Sequence, residues 1–181
     1  QHIELLDGIQ NILPAGLGSA LQNNRSTLVD AYKKNELVEA EHLAIYSLSA
    51  RIIDRAEPSE ALVANTIWST GLKPKAILLS NTQLKDFRRG TELKTERLSK
   101  GQKGAYFLNA DLKLGSKQTE DWMMVAEVNQ STADVLNLQS FLASNDSLGL
   151  FQKLEAARAE DQEKLRAIVA KGDGLQCSQL E

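Results

Sequence analysis

Several residue types on which protein chemistry often depends are scarce in this chain of 181 residues, which has one cysteine, two histidines and three prolines. A single cysteine, Cys177, excludes an internal disulfide framework. Two histidines, His2 and His42, argue against a metal site built from imidazoles. No apolar run approaches the roughly 20 residues that a membrane-spanning helix needs, so we expect no membrane span within this chain.

The overall composition is that of a folded protein, with 42% hydrophobic and 25% charged residues. These fractions exclude disorder over the whole chain. A chain of this length buries about 70% of the surface that its unfolded form exposes. The fold therefore needs neither disulfides nor metals, and we predict no cofactor.

Apolar residues recur mainly three and four positions apart, which is the spacing of helices. The pattern predicts an all-α fold, an elongated bundle of about six helices. Residues 1–172 are expected to form one helical domain and residues 173–181 a flexible C-terminal tail. Alternation over residues 105–114 predicts at most one short extended segment. It has no evident partner strand, so we favour helix or irregular structure there.

Residues that favour helix caps, together with proline and glycine, which end helices, indicate where each helix begins and ends. The longest helix is predicted to begin at Ser26 and to end before Pro58. A first helix is expected over Leu5–Leu21, with a break near Pro14. Further helices are expected over Ser59–Gly71, over Pro74–Gly90, over Thr91–Ser99, from Thr119 through Phe141, and from Leu150 to Gly172.

Charge is distributed unevenly along the sequence. Residues 1–72 have a net charge of −4, residues 73–117 a net charge of +7, and residues 118–181 a net charge of −6. The basic segment 73–117 can bind an anionic or acidic protein partner. It can also neutralise the acidic helices or form a solvated face. The expected partner-binding residues are Lys85, Arg88, Arg89, Lys94 and Arg97.

Nucleic acid is not an expected partner of the basic segment. Only three aromatic residues lie within it, Phe87 and the adjacent Tyr106 and Phe107, whereas single-strand binders use several stacking platforms along the chain. The net negative charge of the whole chain also argues against nucleic-acid binding.

Arg51 and Arg55 are four residues apart, which places both on one face of the predicted second helix. Two guanidinium groups on one face can hold a carboxylate, nitrate or phosphate group. The sequence therefore predicts Arg51 and Arg55 as ligand-binding residues for a small anion. Ion pairing with acidic residues of a neighbouring helix is the alternative.

Glu39 and His42 form a Glu-x-x-His pair of the kind that di-metal carboxylate bundles use. Such bundles need the pair twice, and His2 has no equivalent partner. Cys177 would need His42 as a base for nucleophilic catalysis. We therefore predict no catalytic residue and no metal ligand.

The segment from Asp134 to Ile168 contains the run DVLNLQSFLASNDSLGLFQKLEAARAE. This run predicts an amphipathic helix, a polar turn and a second helix that returns beside the first. The pattern resembles the helical hairpins of bacterial extracytoplasmic sensor domains, which occur in chemoreceptors and histidine kinases. The resemblance implies a ligand-responsive bundle and favours a periplasmic or extracytoplasmic location. It implies no particular ligand residue.

Three functional hypotheses follow from these observations. The first is a non-enzymatic module that binds a ligand or partner, most like a bacterial sensor domain. The second is a structural or assembly subunit, such as a secretion-system or pilus-associated helical protein, that binds a protein through segment 73–117. The third is a di-metal enzyme at Glu39 and His42. A homodimer is compatible with the sequence.

Overall fold

The computed structural model describes residues 2–52 and 59–172. Eight strands and five α-helices occur along these residues. The strands are β1 (His2–Ile12), β2 (Lys33–Val38), β3 (Leu43–Leu48), β4 (Val63–Thr70), β5 (Ala76–Leu78), β6 (Leu98–Lys100), β7 (Gly104–Lys113) and β8 (Met123–Ser131). The helices are α1 (Ser19–Asn24), α2 (Ser26–Tyr32), α3 (Leu84–Arg88), α4 (Thr132–Ala143) and α5 (Ser147–Lys171), with a 3-10 turn at Glu39–Glu41.

The predicted all-α bundle is wrong, because the fold is a mixed one with 35% helix and 34% strand. The long helix expected from Ser26 stops at Tyr32, and the hairpin β2–β3 follows it. Strand β1 replaces the first part of the helix expected over Leu5–Leu21, and no helix forms over Thr91–Ser99, where β6 begins. Strand β4 replaces the helix expected over Ser59–Gly71, and β8 precedes the helix expected from Thr119. The alternating segment 105–114 belongs to strand β7.

All strand pairs are antiparallel. Three strands form one sheet in the order β1-β7-β5, and five form the other in the order β6-β2-β3-β4-β8. The partner strand that the sequence analysis could not find for β7 is β1, with Leu5 opposite Ala110 and Gly8 opposite Phe107. Strand β5 flanks β7 on its other side, with Ile77 opposite Leu108.

The two sheets pack face to face. One hydrophobic cluster draws residues from both of them, including Tyr46 of β3, Ile67 of β4, and Tyr106 and Leu108 of β7. A second cluster covers the other face of the three-stranded sheet. It joins Ala105 and Phe107 of β7 to half-buried residues of α3. Strand β7 is therefore buried on both faces.

Hydrogen bonds join the sheets along one side through the residues that precede β6. The Glu96 amide donates to the Ile77 carbonyl of β5 at 2.9 Å, and the Leu37 amide of β2 donates to the Arg97 carbonyl at 3.0 Å. On the opposite side, the Trp122 indole donates to the Asp7 carboxylate at 2.7 Å. Residues near both sides of the sandwich thus connect the two layers.

Contacts divide the chain into two units, residues 1–144 and residues 145–181. The sandwich and α4 belong to the first unit. Helix α4 begins with a capping box, in which Ser131 and Asp134 exchange side-chain and backbone hydrogen bonds.

The second unit contains α5, a helix of 25 residues whose N-cap Asp146 accepts a hydrogen bond from the Gly149 amide. Both helices expected within 134–168 are present. The predicted tail, 173–181, lies outside the described residues. None of the helices in the described part of the chain is both long and apolar enough to cross a membrane.

Candidate binding site

A cavity of about 260 Å³ opens where the turn after β1 meets the residues that follow β3 and precede β4. We call it the Arg51 cavity. Its wall is mainly aliphatic, and among the described residues that line it only Arg51 and Glu60 are charged. The lining consists of Ala15, Gly16, Leu17, Leu21, Leu48, Arg51, Ile52, Glu60, Ala61, Leu62 and Val63.

Backbone pairing fixes where Arg51 enters the cavity. The Arg51 amide donates to the Ser59 carbonyl at 2.7 Å, which holds the residues after β3 beside those before β4. Within residues 2–52 and 59–172, the Arg51 guanidinium makes no ion pair or side-chain hydrogen bond, and neither does the Glu60 carboxylate. Both side chains are exposed. A cation and an anion therefore border one apolar wall, and each is able to bind a ligand group.

The predicted pairing of Arg51 with Arg55 rested on an α-helix that the structure does not contain at Arg51. Arg51 lies in an irregular segment after β3. Arg55 lies outside the described residues. Of the two arginines, Arg51 is the one that the structure describes, and it borders the cavity.

A second depression of about 550 Å³ adjoins the Arg51 cavity and shares Leu48, Glu60, Ala61 and Leu62 with it. We call it the lysine groove, after Lys33, Lys34 and Lys100, which line it. Two of these ammonium groups already have partners. Lys33 is 2% exposed and contacts Asp30 at 2.7 Å, and Lys34 contacts Glu36 at 2.7 Å.

Lys100 stands directly opposite Lys34 in the sheet and makes no ion pair in the described part of the chain. Like charges at opposed positions repel. Only one lysine of the groove is thus without a carboxylate, and Glu60 is at its rim.

The predicted partner-binding residues separate into two places. Lys85 and Arg88 lie on α3, Arg89 follows it, and Lys94 lies beside its N-terminal end. Arg97 is apart from them and forms an ion pair with Glu39 at 2.7 Å. The structure thus brings four of the five predicted cations together.

Glu39 and His42 lie at the turn between β2 and β3, not on an α-helix. The Glu39 carboxylate contacts Arg97. Burial lowers the pKa of His42, although the carboxylates of Glu39 and Glu41 act in the opposite direction. No group of three potential metal ligands occurs among the described residues. Cys177 lies outside them.

Sequence reasoning missed Glu60 and Leu62, which line the cavity beside Arg51. Leu62 is 66% exposed, an unusual environment for a leucine that borders several cavities. The sequence offers no signal for this, because Leu62 fell within the helix predicted over Ser59–Gly71. Only the observed strand bounds bring it to the cavity rim.

Comparison with protein-family models and with curated proteins found no match to this chain. The comparisons therefore add no support for a sensor role or a periplasmic location. The sheet-built first unit also differs from the helical bundle that the sensor resemblance implied.

Proposed function

We propose that this protein is a non-enzymatic binding module that holds a small organic acid with an apolar chain in the Arg51 cavity. The carrying observation is that the Arg51 guanidinium, which forms no ion pair with any described residue, borders an aliphatic wall. A guanidinium recognises a carboxylate through two parallel hydrogen bonds. An aliphatic chain on the same ligand would cover Leu17, Leu21 and Leu48.

The size and lining of the cavity support a small ligand. Its volume of about 260 Å³ is close to the lower end of the range for small-molecule sites, about 300 Å³. The lining side chains that the structure describes include no histidine and no hydroxyl or thiol nucleophile, and Glu60 is their one carboxylate. A binding role therefore fits these residues better than nucleophilic chemistry.

Glu60 adds a second criterion for the ligand. Its carboxylate repels a second negative charge and accepts a hydrogen bond from an amino or hydroxyl group. The best ligand therefore carries one carboxylate and one donor group, as an apolar amino acid or a hydroxy acid does. A fatty acid without an amino or hydroxyl group can bind the Arg51 guanidinium but offers no hydrogen bond to Glu60.

Isothermal titration calorimetry with leucine, hexanoate and hexanamide tests the proposal. We expect leucine to bind most tightly and hexanamide most weakly. Arg51→Ala should weaken leucine binding about 10- to 100-fold, because a hydrogen bond to a charged group contributes about 1.5–3 kcal/mol. Arg97→Ala removes the same charge at the Glu39 ion pair and is the matched control.

The variant Glu60→Gln should change the affinities for leucine and hexanoate in opposite directions. Leucine should bind more weakly, because its ammonium group loses a carboxylate partner. Hexanoate should bind more tightly, because a like charge is removed. Equal affinity of the Arg51→Ala and Arg97→Ala variants for leucine, or no binding by the parent protein, would contradict the proposal.

A further inference from the structure

Four cations form one exposed surface around α3. Lys85 and Arg88 are three residues apart on the helix, Arg89 follows at its end, and Lys94 is adjacent. We call these four residues the basic α3 patch. In the described part of the chain none of them forms an ion pair, although the whole chain is acidic, with a net charge of −3.

The inner face of α3 is fixed by apolar packing. Leu84 and Phe87 pack against a buried cluster that includes Leu93 and Phe107. The helix ends at Gly90, whose φ of +69° is a conformation that glycine adopts without strain. Burial of one face leaves the basic side chains on the other.

Gln83 fixes Lys94 beside the helix. Its side-chain amide donates to the Lys94 carbonyl at 2.9 Å and accepts from the Lys94 amide at 2.9 Å. The same nitrogen donates to the Glu96 carboxylate at 2.9 Å. The backbone that carries the four cations is thus ordered before any partner binds, which reduces the entropy lost on binding.

We propose that the basic α3 patch docks a short acidic segment of a partner protein, one with at least two neighbouring carboxylates. Residues three and four apart on a helix are about 5–6 Å apart, a spacing that suits adjacent acidic side chains. Arginine forms paired hydrogen bonds with carboxylates. This inference is independent of the Arg51 cavity.

The surroundings of the patch favour a short acidic peptide over nucleic acid or membrane. Asp86 and Glu92 lie between these cations in the sequence, so the patch suits a partner with a few carboxylates better than an extended polyanion. No large hydrophobic side chain is exposed between Leu84 and Lys94. The patch therefore has no exposed apolar side chain that could insert into a membrane. It also has no exposed aromatic side chain on which a base of single-stranded nucleic acid could stack.

Fluorescence anisotropy with labelled hexaglutamate at low salt tests the proposal on the full chain. The triple variant Lys85→Ala/Arg88→Ala/Arg89→Ala should weaken binding about tenfold, since each exposed ion pair contributes modestly. The control variant Lys73→Ala/Lys113→Ala/Lys117→Ala removes three exposed lysines elsewhere and should change affinity less than about twofold. Equal losses in the two variants would overturn the proposal.

Gln83→Ala separates a preorganised site from charge attraction, because it leaves the net charge unchanged. We expect its affinity for hexaglutamate to fall about threefold, because the Gln83 side chain no longer holds the Lys94 backbone beside α3. Circular dichroism establishes that each variant is folded. An unchanged Gln83→Ala affinity, or tighter binding of duplex DNA or phosphatidylserine vesicles than of hexaglutamate, would count against the proposal.

Discussion

Tyr46 and Tyr106 connect the two sheets in opposite directions. Tyr46 of β3 donates its hydroxyl to the Ala105 carbonyl of β7 at 2.7 Å. Tyr106 of β7 donates its hydroxyl to the His42 carbonyl, next to β3, at 2.7 Å. Because that proton is committed to His42, the Ser69 hydroxyl of β4 must donate to the Tyr106 oxygen, 2.8 Å away.

Removing the Tyr106 hydroxyl should destabilise the fold by about 1–3 kcal/mol, because two buried partners lose their hydrogen bonds. The variant Tyr106→Phe keeps the ring and its packing, so the effect isolates the hydroxyl. Urea unfolding monitored by circular dichroism measures it. Tyr32→Phe is the control and should change stability little, since the Tyr32 hydroxyl has no hydrogen bond within the described residues. A Tyr106→Phe variant as stable as Tyr32→Phe would show that the inter-sheet bonds are unimportant.

The same tyrosines predict a loss of stability in alkali. Burial raises the pKa of Tyr106 and the pKa of Tyr46 well above the ordinary tyrosine value. Below a pH of about 10 both folded and unfolded tyrosines are protonated, and their full contribution is present. As pH rises further, the unfolded state releases protons that the folded state retains, so the free energy of unfolding falls. Urea titrations between pH 9 and 12, as a rough range around that value, should show this slope, and Tyr46→Phe/Tyr106→Phe should reduce it. An equal slope in both proteins would contradict the assignment.

Glu96 accepts hydrogen bonds from four groups. Its Oε2 accepts from the Leu79 amide at 2.8 Å, and its Oε1 accepts from Ser80, Thr82 and Gln83 at 2.9 to 3.2 Å. Glu96→Ala leaves all four donors without this acceptor, so we expect a loss of at least about 2 kcal/mol. Thermal unfolding measures the change.

A matched pair of variants separates the Glu96 cluster from general charge effects. Glu96→Gln keeps one oxygen acceptor but places a donor where the other oxygen accepts, so it should be destabilising to a smaller extent than Glu96→Ala. Glu120→Gln removes the same charge at an exposed position and should have an effect within about 0.5 kcal/mol. If Glu96→Gln and Glu120→Gln melted alike, the hydrogen bonds of the cluster would not be contributing.

Local signals in the sequence were more informative than its periodicity. Gly90 was expected to end a helix, and α3 ends beside it. By contrast, Val63, Ile67 and Trp68 were assigned to a helix but belong to β4, where most residues are buried on both faces. A strand covered on both sides loses the alternation of polar and apolar residues that identifies strands. Strand β7 differs, because residues 105–114 kept that alternation and the sequence analysis lacked only its partner strand β1.

The candidate site was only partly predictable, because it depends on backbone pairing between residues that are far apart in the sequence. Arg51 was identified by its charge, but its neighbour Glu60 reaches the cavity through backbone pairing near Ser59. Lys34 and Lys100 are 66 positions apart and become neighbours only when β2 pairs with β6. No single-sequence pattern contains these pairings. The helical spacing assumed for Arg51 and Arg55 likewise depended on a fold that was wrong.

Gly8 allows β1 to approach the backbone of Tyr106 and Phe107. A Cβ atom at this position would collide with the Tyr106 carbonyl oxygen and lie 2.7 Å from the Phe107 Cα, and neither backbone atom can move without disturbing the sheet. Gly8→Ala should therefore destabilise the fold by at least about 1–3 kcal/mol. Gly18→Ala is the matched control, because a Cβ there meets nothing within 4 Å and its φ of −70° suits alanine. Urea unfolding of the two variants should show a clear loss for Gly8→Ala and a change near zero for Gly18→Ala. Equal stability would mean that β1 does not pair with β7 in this register, and the contact between Asp7 and Trp122 would then also need a different explanation.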